Sequence, residues 1–395
     1  MPETPAHYVL ACVGTTGDVH PFMRIAKALS AMGRQVTFIT NTHHTRLLSG
    51  SGLACVGVGT EEDYTRLLQD PNIWHPQKAF SAILAHYQEQ LLQIHEAIAA
   101  INATGPRVVI AHPIAVPAAV MAREQGIVHK IVSMYLAPST LRTCHDPLRM
   151  GDTTLPAWVP MRWRPALWRF VERGWIDPVA MTQLNAARTA LGLPGVNTSF
   201  LGYLESQPDL VVTLFPAWFG PAMPDWPQPL LSGDFQLFDA ASTSQFTPEL
   251  SAFLAAGDKP LVFTPGTGHR HAEAFFSHAL DAVTRLGARA VFLTSHRAQV
   301  PAQLPASVLW QPYVPLSGLL PHVKAFIHHG GIGSTAEALR AGTPQVVAPF
   351  AWDQFDNGAR VADLGVGEVI FARRLSSRRL VKTIRVVTTS EQVRK

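Results

Sequence analysis

Three features are scarce in this sequence, and each scarcity excludes a class of protein. Only three cysteines occur, Cys12, Cys55 and Cys144, and their number and spacing allow neither a disulfide framework nor a zinc site. No apolar run approaches the ~20 residues of a membrane span. The first residues, Met1–Tyr8, lack the charged head and apolar core of a signal peptide. The sequence therefore predicts a cytoplasmic enzyme.

Charge is also sparse: charged residues make up 15% of the chain, and the net charge of +4 is scattered along it. This pattern does not indicate nucleic-acid binding, but it suits an anionic ligand or a weak contact with a membrane surface. Apolar residues reach 47%, which is typical of a globular enzyme with large buried sheets. A chain of 395 residues exceeds what one hydrophobic core usually supports, so we expect two domains.

One order of segments occurs twice: an apolar run, a glycine-rich turn and a helical pattern. The first copy has a strand at Tyr8–Val13, a turn at Gly14–Asp18 and a helix over Phe22–Met32. Further strands are predicted at Gln35–Ile39, Val108–Ala111 and Lys130–Ser133. Short buried strands that alternate with helices predict a parallel sheet with right-handed crossovers.

The second copy begins at Pro260–Thr264, with a turn at Pro265–Gly268 and a helix from about Ala272 to Leu286. Later strands are predicted at Ala290–Leu293, Val308–Trp310, Ala325–His328 and Gln345–Ala348. Between the copies, the proline-rich segment Phe215–Pro229 indicates connecting chain. We expect an α/β fold of two Rossmann-like domains that face a cleft, 1–220 and 221–395, with the boundary near residue 220.

The segment Pro156–Ile176 combines aromatic and basic side chains: Trp158, Trp163, Trp168, Trp175, Arg162, Arg164, Arg169 and Arg173. Two interpretations stay open. The segment could line an apolar acceptor pocket or touch a membrane surface, where Trp and Arg are both favoured. Alternatively, it is an ordinary helix whose aromatic rings pack on the sheet while its arginines reach water.

The segment Ala325–Gln354 carries the clearest chemistry. Glycines 330, 331 and 333 allow the backbone to approach a ligand closely. A helix that begins near Ser334 would present unpaired N–H groups and its positive dipole end to an anion, and His329 could add a donor. A diphosphate is the natural ligand for such a turn.

A nicotinamide dinucleotide is the alternative ligand for the same turn. Gly331, Gly333 and Ala336 match the G-x-G-x-x-A fingerprint, and Asp353 lies at a suitable distance. However, that fingerprint usually opens a domain, whereas several strands precede it here. The pair His328-His329 also has no role in NAD binding. An NAD-linked oxidoreductase is therefore the second hypothesis.

At these residues the chain resembles the family-one glycosyltransferases of the GT-B fold. Their donor signature appears here as His329-Gly330-Gly331, Ser334, Glu337, Gly342-Thr343-Pro344, Pro349 and Asp353-Gln354. The resemblance implies that His329, Gly331, Gly333 and Ser334 hold the diphosphate of a nucleotide sugar. It also implies that Glu337 binds the ribose, and that Asp353 and Gln354 bind hydroxyls of the sugar.

The same resemblance extends to the turns beside this motif. Gly266-Thr267 matches a loop that also touches phosphate, and Tyr313-Val314 would meet the nucleotide base, with Trp310 as a competing candidate. At the N-terminus, Gly17-Asp18-Val19-His20-Pro21 matches the family's second motif. Asp18 would then be the general base, with His20 as the alternative; the plainer interpretation is that Asp18 caps a helix. No Asp-x-Asp motif occurs, so we expect transfer without a metal ion.

Segments at 215–219, 225–229 and 353–357 are similar to rhamnosyltransferases of rhamnolipid synthesis. This implies dTDP-L-rhamnose as donor and a hydroxyacyl lipid as acceptor, with no further cofactor and no nucleic-acid partner. Trp163 and Trp168 are the acceptor candidates, and a peripheral contact with the inner membrane stays open. Transfer from a UDP-sugar to a sterol, flavonoid or macrolide, and a relative that no longer transfers sugar, stay open. Members of the fold usually continue beyond the helical stretch 376–395, so we expect a truncated C-terminus.

Overall fold

The computed structural model describes residues 5–75, 77–146, 149–150, 153–156, 158–237 and 246–390. The chain folds into two compact units that divide between Leu237 and Phe246. The boundary predicted near residue 220 lies earlier than this division. The reason is that a strand at Leu230–Ser232 pairs with the sheet of the first unit, through Val211, Val212 and Thr213.

The first unit is built on a parallel sheet with the strand order β3-β2-β1-β4-β5-β8-β9. In β1, Val9, Leu10 and Ala11 have no exposed surface, as expected for a parallel strand covered on both faces. A separate pair, β6 and β7, also forms. The strands are β1 (His7–Ala11), β2 (Gln35–Asn41), β3 (Ala54–Val58), β4 (Arg107–Ala111), β5 (Lys130–Tyr135), β6 (Arg149–Met150), β7 (Thr153–Thr154), β8 (Leu210–Thr213) and β9 (Leu230–Ser232).

Helices cover this sheet through apolar stripes. In the helix Tyr87–Ala100, Leu91, Ile94 and Ile98 recur at helical spacing and pack into the same core as β1 and β4. The helices are α1 (Thr16–Ala31), α2 (Thr42–Thr45), α3 (Glu61–Gln69), α4 (Ala79–Leu84), α5 (Tyr87–Ala100), α6 (Val116–Glu124), α7 (Arg164–Val171), α8 (Asp177–Ala190) and α9 (Phe200–Ser206). A π-helical turn, Glu172–Ile176, joins α7 to α8.

The second unit has a parallel sheet with the order β12-β11-β10-β13-β14-β15. Its strands are β10 (Leu261–Thr264), β11 (Ala290–Leu293), β12 (Val308–Gln311), β13 (Ala325–His328), β14 (Gln345–Val347) and β15 (Gly367–Val369). Its helices are α10 (Pro248–Ala255), α11 (Glu273–Leu286), α12 (Leu316–Leu319), α13 (Ile332–Ala341), α14 (Gln354–Asp363) and α15 (Ser377–Thr389). Phe263, Phe276 and Phe292 are fully buried at its centre.

Each sheet reverses its strand order at one place. In the first unit the reversal lies between β1 and β4, and in the second unit between β10 and β13. Ligands of such sheets bind at the carboxyl ends of the two strands that flank the reversal. We therefore expect ligands to bind at the loops after β1, β4, β10 and β13.

The predicted fold class is confirmed, and every predicted strand is present with ends within two residues. The first helix begins earlier than the predicted Phe22, because Thr15 and Asp18 form a capping box that starts α1 at Thr16. β3, β6, β7, β8, β9 and β15 were not predicted. Within the described chain, none of the helices reaches the length and apolar character required of a membrane-spanning segment.

Candidate active site

The strongest candidate site lies where α13 begins, at the strand-order reversal of the second unit. The turn after β13 leads directly into this helix, whose first backbone hydrogen bond is donated by Thr335 to Gly331 (3.0 Å). The amides of residues 332–334 therefore have no acceptor within the helix, and the helix dipole adds positive potential. A Cβ added to Gly333 would meet no atom within 4 Å, so the space beside this glycine in the first turn is open, and a helix start of this kind favours an anion. Ser334 is half-buried beside it.

His328 supports this turn from below. Its buried ring stacks on Phe326 with centroids 4.5 Å apart. Nδ1 accepts from the amide of Gly330 (3.1 Å), and Nε2 donates to Oε1 of Gln345 (3.0 Å). Burial lowers the pKa of His328 to about 3, so the ring is neutral. Because both ring nitrogens are engaged, His328 shapes the turn and is not available to a ligand.

His329 occupies a slot between two glycines. A Cβ on Gly266 would come within 2.8 Å of the His329 ring, and a Cβ on Gly331 within 2.5 Å of its Nε2. Both positions must therefore be glycine for the ring to lie here. Nδ1 of His329 is buried without a hydrogen-bond partner. Burial lowers the pKa of His329 to about 4, so at neutral pH it offers one N–H donor and no full charge.

Gly266 and Thr267 belong to the loop after β10, the strand beside β13. Gly266 has a φ of +93°, a left-handed conformation that favours glycine. Its amide donates to Oγ1 of Thr264 (3.2 Å), and Thr267 is exposed. The structure thus brings the two predicted phosphate loops to neighbouring strand ends.

The same loop carries His269, which the sequence analysis did not single out. Its side chain is buried, and neither ring nitrogen has a hydrogen-bond partner. Burial, with a further contribution from nearby His329, lowers the pKa of His269 to about 3. Buried polar atoms without partners are uncommon in folded proteins, and this adds His269 to the candidate site.

Asp353 and Gln354 lie at the start of α14 and differ in what they can offer a ligand. Oε1 of Gln354 accepts from the amides of Phe350 (2.9 Å) and Ala351 (3.1 Å), so it shapes the loop after β14. Only the side-chain NH2 group of Gln354 can therefore bind a sugar hydroxyl. Asp353 is half-buried, and its Oδ2 accepts from Nδ2 of Asn357 (2.7 Å).

Asn357 links this carboxylate to the phosphate turn. Its side chain is fully buried, and Nδ2 also donates to the carbonyl oxygen of Gly330 (2.9 Å). The sequence analysis gave Asn357 no role. Trp352, just before Asp353, has a φ of +62°, a conformation that bulky residues rarely adopt. The loop is therefore held in a specific bend that sets the direction of Asp353.

Glu337 lies in the second turn of α13, is 9% exposed and forms an ion pair with Arg340 (2.6 Å). Of the residues considered for the base, Tyr313 is 57% exposed, whereas the side chain of Val314 packs into the core. Trp310 is held inward, because its Nε1 donates to the carbonyl oxygen of Thr294 (2.9 Å). Tyr313 therefore has the more accessible ring.

In the first unit, Asp18 caps α1. Its Oδ2 accepts from the amide (2.8 Å) and the hydroxyl (3.0 Å) of Thr15. The helix-capping role that the sequence left open for Asp18 is therefore present. That contact uses a single carboxylate oxygen. His20 lies two residues further along the helix, and its pKa is lowered to about 4 by burial, with His44 and Lys27 contributing.

A second histidine, His112, accompanies Asp18 and was missed by the sequence analysis. It directly follows β4, which runs beside β1, so it flanks the strand-order reversal opposite the turn of Asp18. Burial lowers the pKa of His112, and the carboxylate of Asp18 opposes that shift. Nδ1 of His112 is buried without a partner. The strand order was the signal that could have found it.

The two acceptor candidates differ in exposure. The indole N–H of Trp168 donates inward to the carbonyl oxygen of Thr143 (2.7 Å), and this ring is half-buried. Trp163 is 56% exposed, with the guanidinium of Arg162 5.8 Å from its ring centroid. Among the residues that the structure describes, no group of three or more His, Cys, Asp or Glu side chains is arranged to hold a metal ion.

Two family matches cover these turns in chain order. Residues 8–132 match the glycosyltransferase family 28 N-terminal domain, and residues 277–395 match the erythromycin biosynthesis protein CIII-like C-terminal domain. The first includes Asp18 and His112, and the second includes His329 and Asp353. The chain is a glycosyltransferase of the GT-B fold. The predicted enzyme class is thereby confirmed.

The names of the curated relatives of this glycosyltransferase refer to different acceptors. It is 25% identical to a sterol 3-beta-glucosyltransferase of Debaryomyces hansenii, over 99% of this chain but only 25% of that protein. It is 26% identical to the O-mycaminosyltylonolide 6-deoxyallosyltransferase of Streptomyces fradiae, over 96% of this chain and 89% of that protein. The chain therefore spans about a quarter of the first relative and most of the second.

Solved structures share the fold. The glycotransferase of kitacinnamycin superposes with a TM-score of 0.71 at 20% identity, covering 99% of this chain and 92% of that one. The spinosyn rhamnosyltransferase SpnG, complexed with thymidine diphosphate, superposes with a TM-score of 0.63 at 19% identity, covering 98% and 93%. None of these four proteins is named as a rhamnolipid enzyme, so that finer resemblance is retained only as a proposal.

The NAD alternative loses its support in this glycosyltransferase. The fingerprint Gly331–Ala336 follows β13, the fourth strand of its unit in chain order, whereas a dinucleotide fingerprint follows the first strand. The turn after the first strand, β10, begins Gly266-Thr267-Gly268 and has His271 where the fingerprint requires glycine.

Proposed function

We propose that this glycosyltransferase binds a nucleoside-diphosphate sugar with its diphosphate at the start of α13. The observation that carries the proposal is the set of unpaired amides at residues 332–334 beside the neutral ring of His329. The positive end of the helix dipole, the unpaired amides and the imidazole lie at the same turn, and together they suit the charge that develops on a leaving diphosphate.

The remaining donor contacts follow from the same placement. His329, Gly331, Gly333 and Ser334 would hold the diphosphate, with Gly266 and Thr267 from the loop after β10. Glu337 would accept hydrogen bonds from the ribose, and Asp353 and the Gln354 amide would bind the sugar. Tyr313 would stack on the base, and Val314 would contribute its backbone.

For the donor we propose dTDP-L-rhamnose. The resemblance to rhamnosyltransferases supports this, as does the fold shared with a rhamnosyltransferase that binds thymidine diphosphate. A UDP-sugar is the alternative. For the acceptor we propose an apolar molecule with a hydroxyl, such as a hydroxyacyl lipid. Sterols and macrolides are the alternatives, supported by the names of the relatives. Trp163 and Trp168 are the residues proposed to contact it.

For the reaction we propose a single inverting displacement without a metal ion. Asp18 would take the proton of the acceptor hydroxyl as its oxygen bonds to the anomeric carbon, while the bond to the diphosphate breaks. His20 is the alternative base. Unchanged transfer after treatment with EDTA is the expected sign of metal independence; loss of activity that Mg²⁺ restores would contradict it.

A thermal-shift and calorimetric titration tests the donor site. The probes are dTDP, UDP, ADP and NAD, with wild-type protein and His329→Ala. Binding of dTDP at a hundred times its Kd should add ~2.7 kcal/mol to the free energy of unfolding, and His329→Ala should weaken it by ~1–3 kcal/mol. Tighter binding of UDP than of dTDP would indicate a uridine donor instead of a thymidine donor. Binding of NAD alone would overturn the proposal.

A second assay tests the acceptor. Release of dTDP from dTDP-L-rhamnose is followed with hydroxyacyl acceptors of increasing chain length. If an alkyl chain is buried, each methylene should strengthen binding by ~0.8 kcal/mol until the pocket ends. A KM that ignores chain length, or faster transfer to a free sugar, would rule out the lipid acceptor.

A further inference from the structure

One surface of the first unit is both apolar and basic. Five of the thirteen exposed large apolar side chains in the described chain lie within eighteen residues. We call this surface the Trp-Arg face. Its apolar members, with their exposed fractions, are Trp158 (77%), Met161 (45%), Trp163 (56%), Phe170 (63%) and Trp175 (57%). Its basic members, all exposed, are Arg162, Arg169 and Arg173.

The opposite side of the same segment is fastened to the unit. The indole N–H of Trp168 donates to the carbonyl oxygen of Thr143. The guanidinium of Arg164 donates to the carbonyl oxygen of Cys144 (2.8 Å). Val171 is buried. The outward direction of the face is therefore fixed by inward contacts, and it does not result from loose packing.

The spacing places both kinds of side chain together. Arg162, Arg169 and Arg173 are separated by seven and four residues, so they follow one another along one side of the helical segment. Trp163 and Phe170, also seven apart, lie beside this row. The aromatic groups are therefore interleaved with the arginines, and the positive charge lies at the apolar surface itself.

Within residues 158–176, no exposed acidic side chain balances this charge. Glu172, the one acid within residues 158–176, is 2% exposed and turned inward, where it pairs with Arg142 (2.8 Å). Arg142 also pairs with Glu205 of α9 (2.9 Å). The exposed charge of the Trp-Arg face is therefore positive throughout the described segment.

We infer that the Trp-Arg face docks on an anionic lipid bilayer. Trp rings favour the level of the lipid headgroups, and Phe rings insert at the boundary with the acyl chains. Arginines are attracted to anionic lipids while their stems stay among apolar groups. A second copy of the chain is disfavoured, because a two-fold contact would set these arginines against each other. A protein partner is the rival occupant, because Trp, Phe, Met and Arg are also enriched in protein interfaces, and a failure to bind vesicles would favour it. Trp163 was proposed above to contact an apolar acceptor. If that acceptor lies in the membrane, Trp163 would contact both.

Vesicle flotation tests this inference without any activity assay. The full chain is mixed with vesicles of phosphatidylcholine alone, or of phosphatidylcholine and phosphatidylglycerol at three to one. The charge variant is Arg162→Gln, Arg169→Gln and Arg173→Gln together. The apolar variant is Trp163→Ala, Phe170→Ala and Trp175→Ala together. A matched control removes the same charge elsewhere through Arg34→Gln, Arg378→Gln and Arg385→Gln, all exposed positions, and Trp218→Ala, 57% exposed, is the aromatic control.

Wild-type protein and both controls should float with anionic vesicles and not with phosphatidylcholine alone. The charge variant should bind on the order of a hundredfold more weakly. The apolar variant should lose the binding that persists at about 0.5 M salt, where exposed charges are screened. Because all the substituted side chains are exposed, the melting temperatures should be unchanged. Absence of flotation, equal loss in the controls, or a wild-type dimer that the apolar variant dissociates would each overturn the inference.

Discussion

At the scale of single residues, Asp18 combines a structural contact with its proposed chemistry. Its carboxylate caps α1 through Thr15, and an asparagine carbonyl can accept the same two hydrogen bonds. Asp18→Asn should therefore keep the helix and remove the base. We expect the rate of transfer to fall by ~10²–10⁴, with an unchanged Kd for dTDP and an unchanged melting temperature. Initial rates of dTDP release and calorimetry measure these quantities.

The control for this variant is Thr15→Ala, which weakens the cap and retains the carboxylate. It should cost about 1 kcal/mol of stability and keep most of the activity. If Asp18→Asn turns over at close to the wild-type rate, the base is His20 or His112.

Asn357 is a positioning residue, because it joins the carbonyl of Gly330 to the carboxylate of Asp353 through one amide group. Asn357→Ala leaves both acceptors without this donor, at a cost of ~1–3 kcal/mol. The loop and the phosphate turn should then separate, so we expect the Kd of the nucleotide sugar to rise together with the loss of stability.

The matched control for this prediction is Asn185→Ala, which also removes two hydrogen bonds, those to Val196 (2.8 and 3.1 Å) in the first unit. It should lower stability and leave donor affinity unchanged. An equal effect of the two variants on the Kd, measured by calorimetry, would reduce Asn357 to a purely structural residue.

At the scale of secondary-structure elements, two glycines at the start of α13 differ in their roles. We expect Gly331 to be needed for folding and Gly333 for binding. An alanine at Gly331 would collide with the His329 ring, whereas an alanine at Gly333 meets open space. Gly333→Ala should therefore melt at the same temperature or higher, because alanine favours a helix by up to ~1 kcal/mol. It should bind dTDP about tenfold more weakly or worse, since the methyl group enters the space proposed for the diphosphate.

Gly174→Ala, also in open space but in the first unit, is the matched control, and its Kd for dTDP should equal that of the wild type. Wild-type affinity in Gly333→Ala would show that the phosphates lie elsewhere. Thermal melts and calorimetry on the two variants decide the question.

The elements also show what a sequence can predict. The buried strands and the His-Gly-Gly turn were found because their signals are local: apolar runs bounded by glycine, then a helix start. β3 was missed because it is half-exposed, and β15 because Gly367 and the exposed Glu368 leave it no apolar run. His112 and His269 were missed for a different reason. Their importance comes from the order of the strands and from burial, neither of which is written in neighbouring residues.

At the scale of the whole molecule, buried neutral histidines link stability to pH. The pKa is lowered to about 4 for His20 and His329, and to about 3 for His269 and His328, in each case chiefly by burial. An unfolded histidine has a pKa of ~6.5. Between these values the unfolded chain binds more protons than the folded one, so stability falls as the pH drops below about 6.5.

We therefore expect the urea midpoint of both units to fall between pH 7 and pH 5. Burial also lowers the pKa of His7, His44 and His112 in the first unit and of His296 in the second, so these histidines add to the effect. Each fully differential group contributes a slope of up to about 1.4 kcal/mol per pH unit. His329→Gln should reduce that slope by the contribution of about one proton. His86→Gln, at an exposed position, is the matched control and should leave the slope unchanged. A midpoint that is constant or rises toward pH 5 would mean that these rings are charged in the folded protein. The diphosphate site would then hold its ligand with a full positive charge, and affinity for dTDP would fall, not hold steady, as the pH rises from 6 to 8.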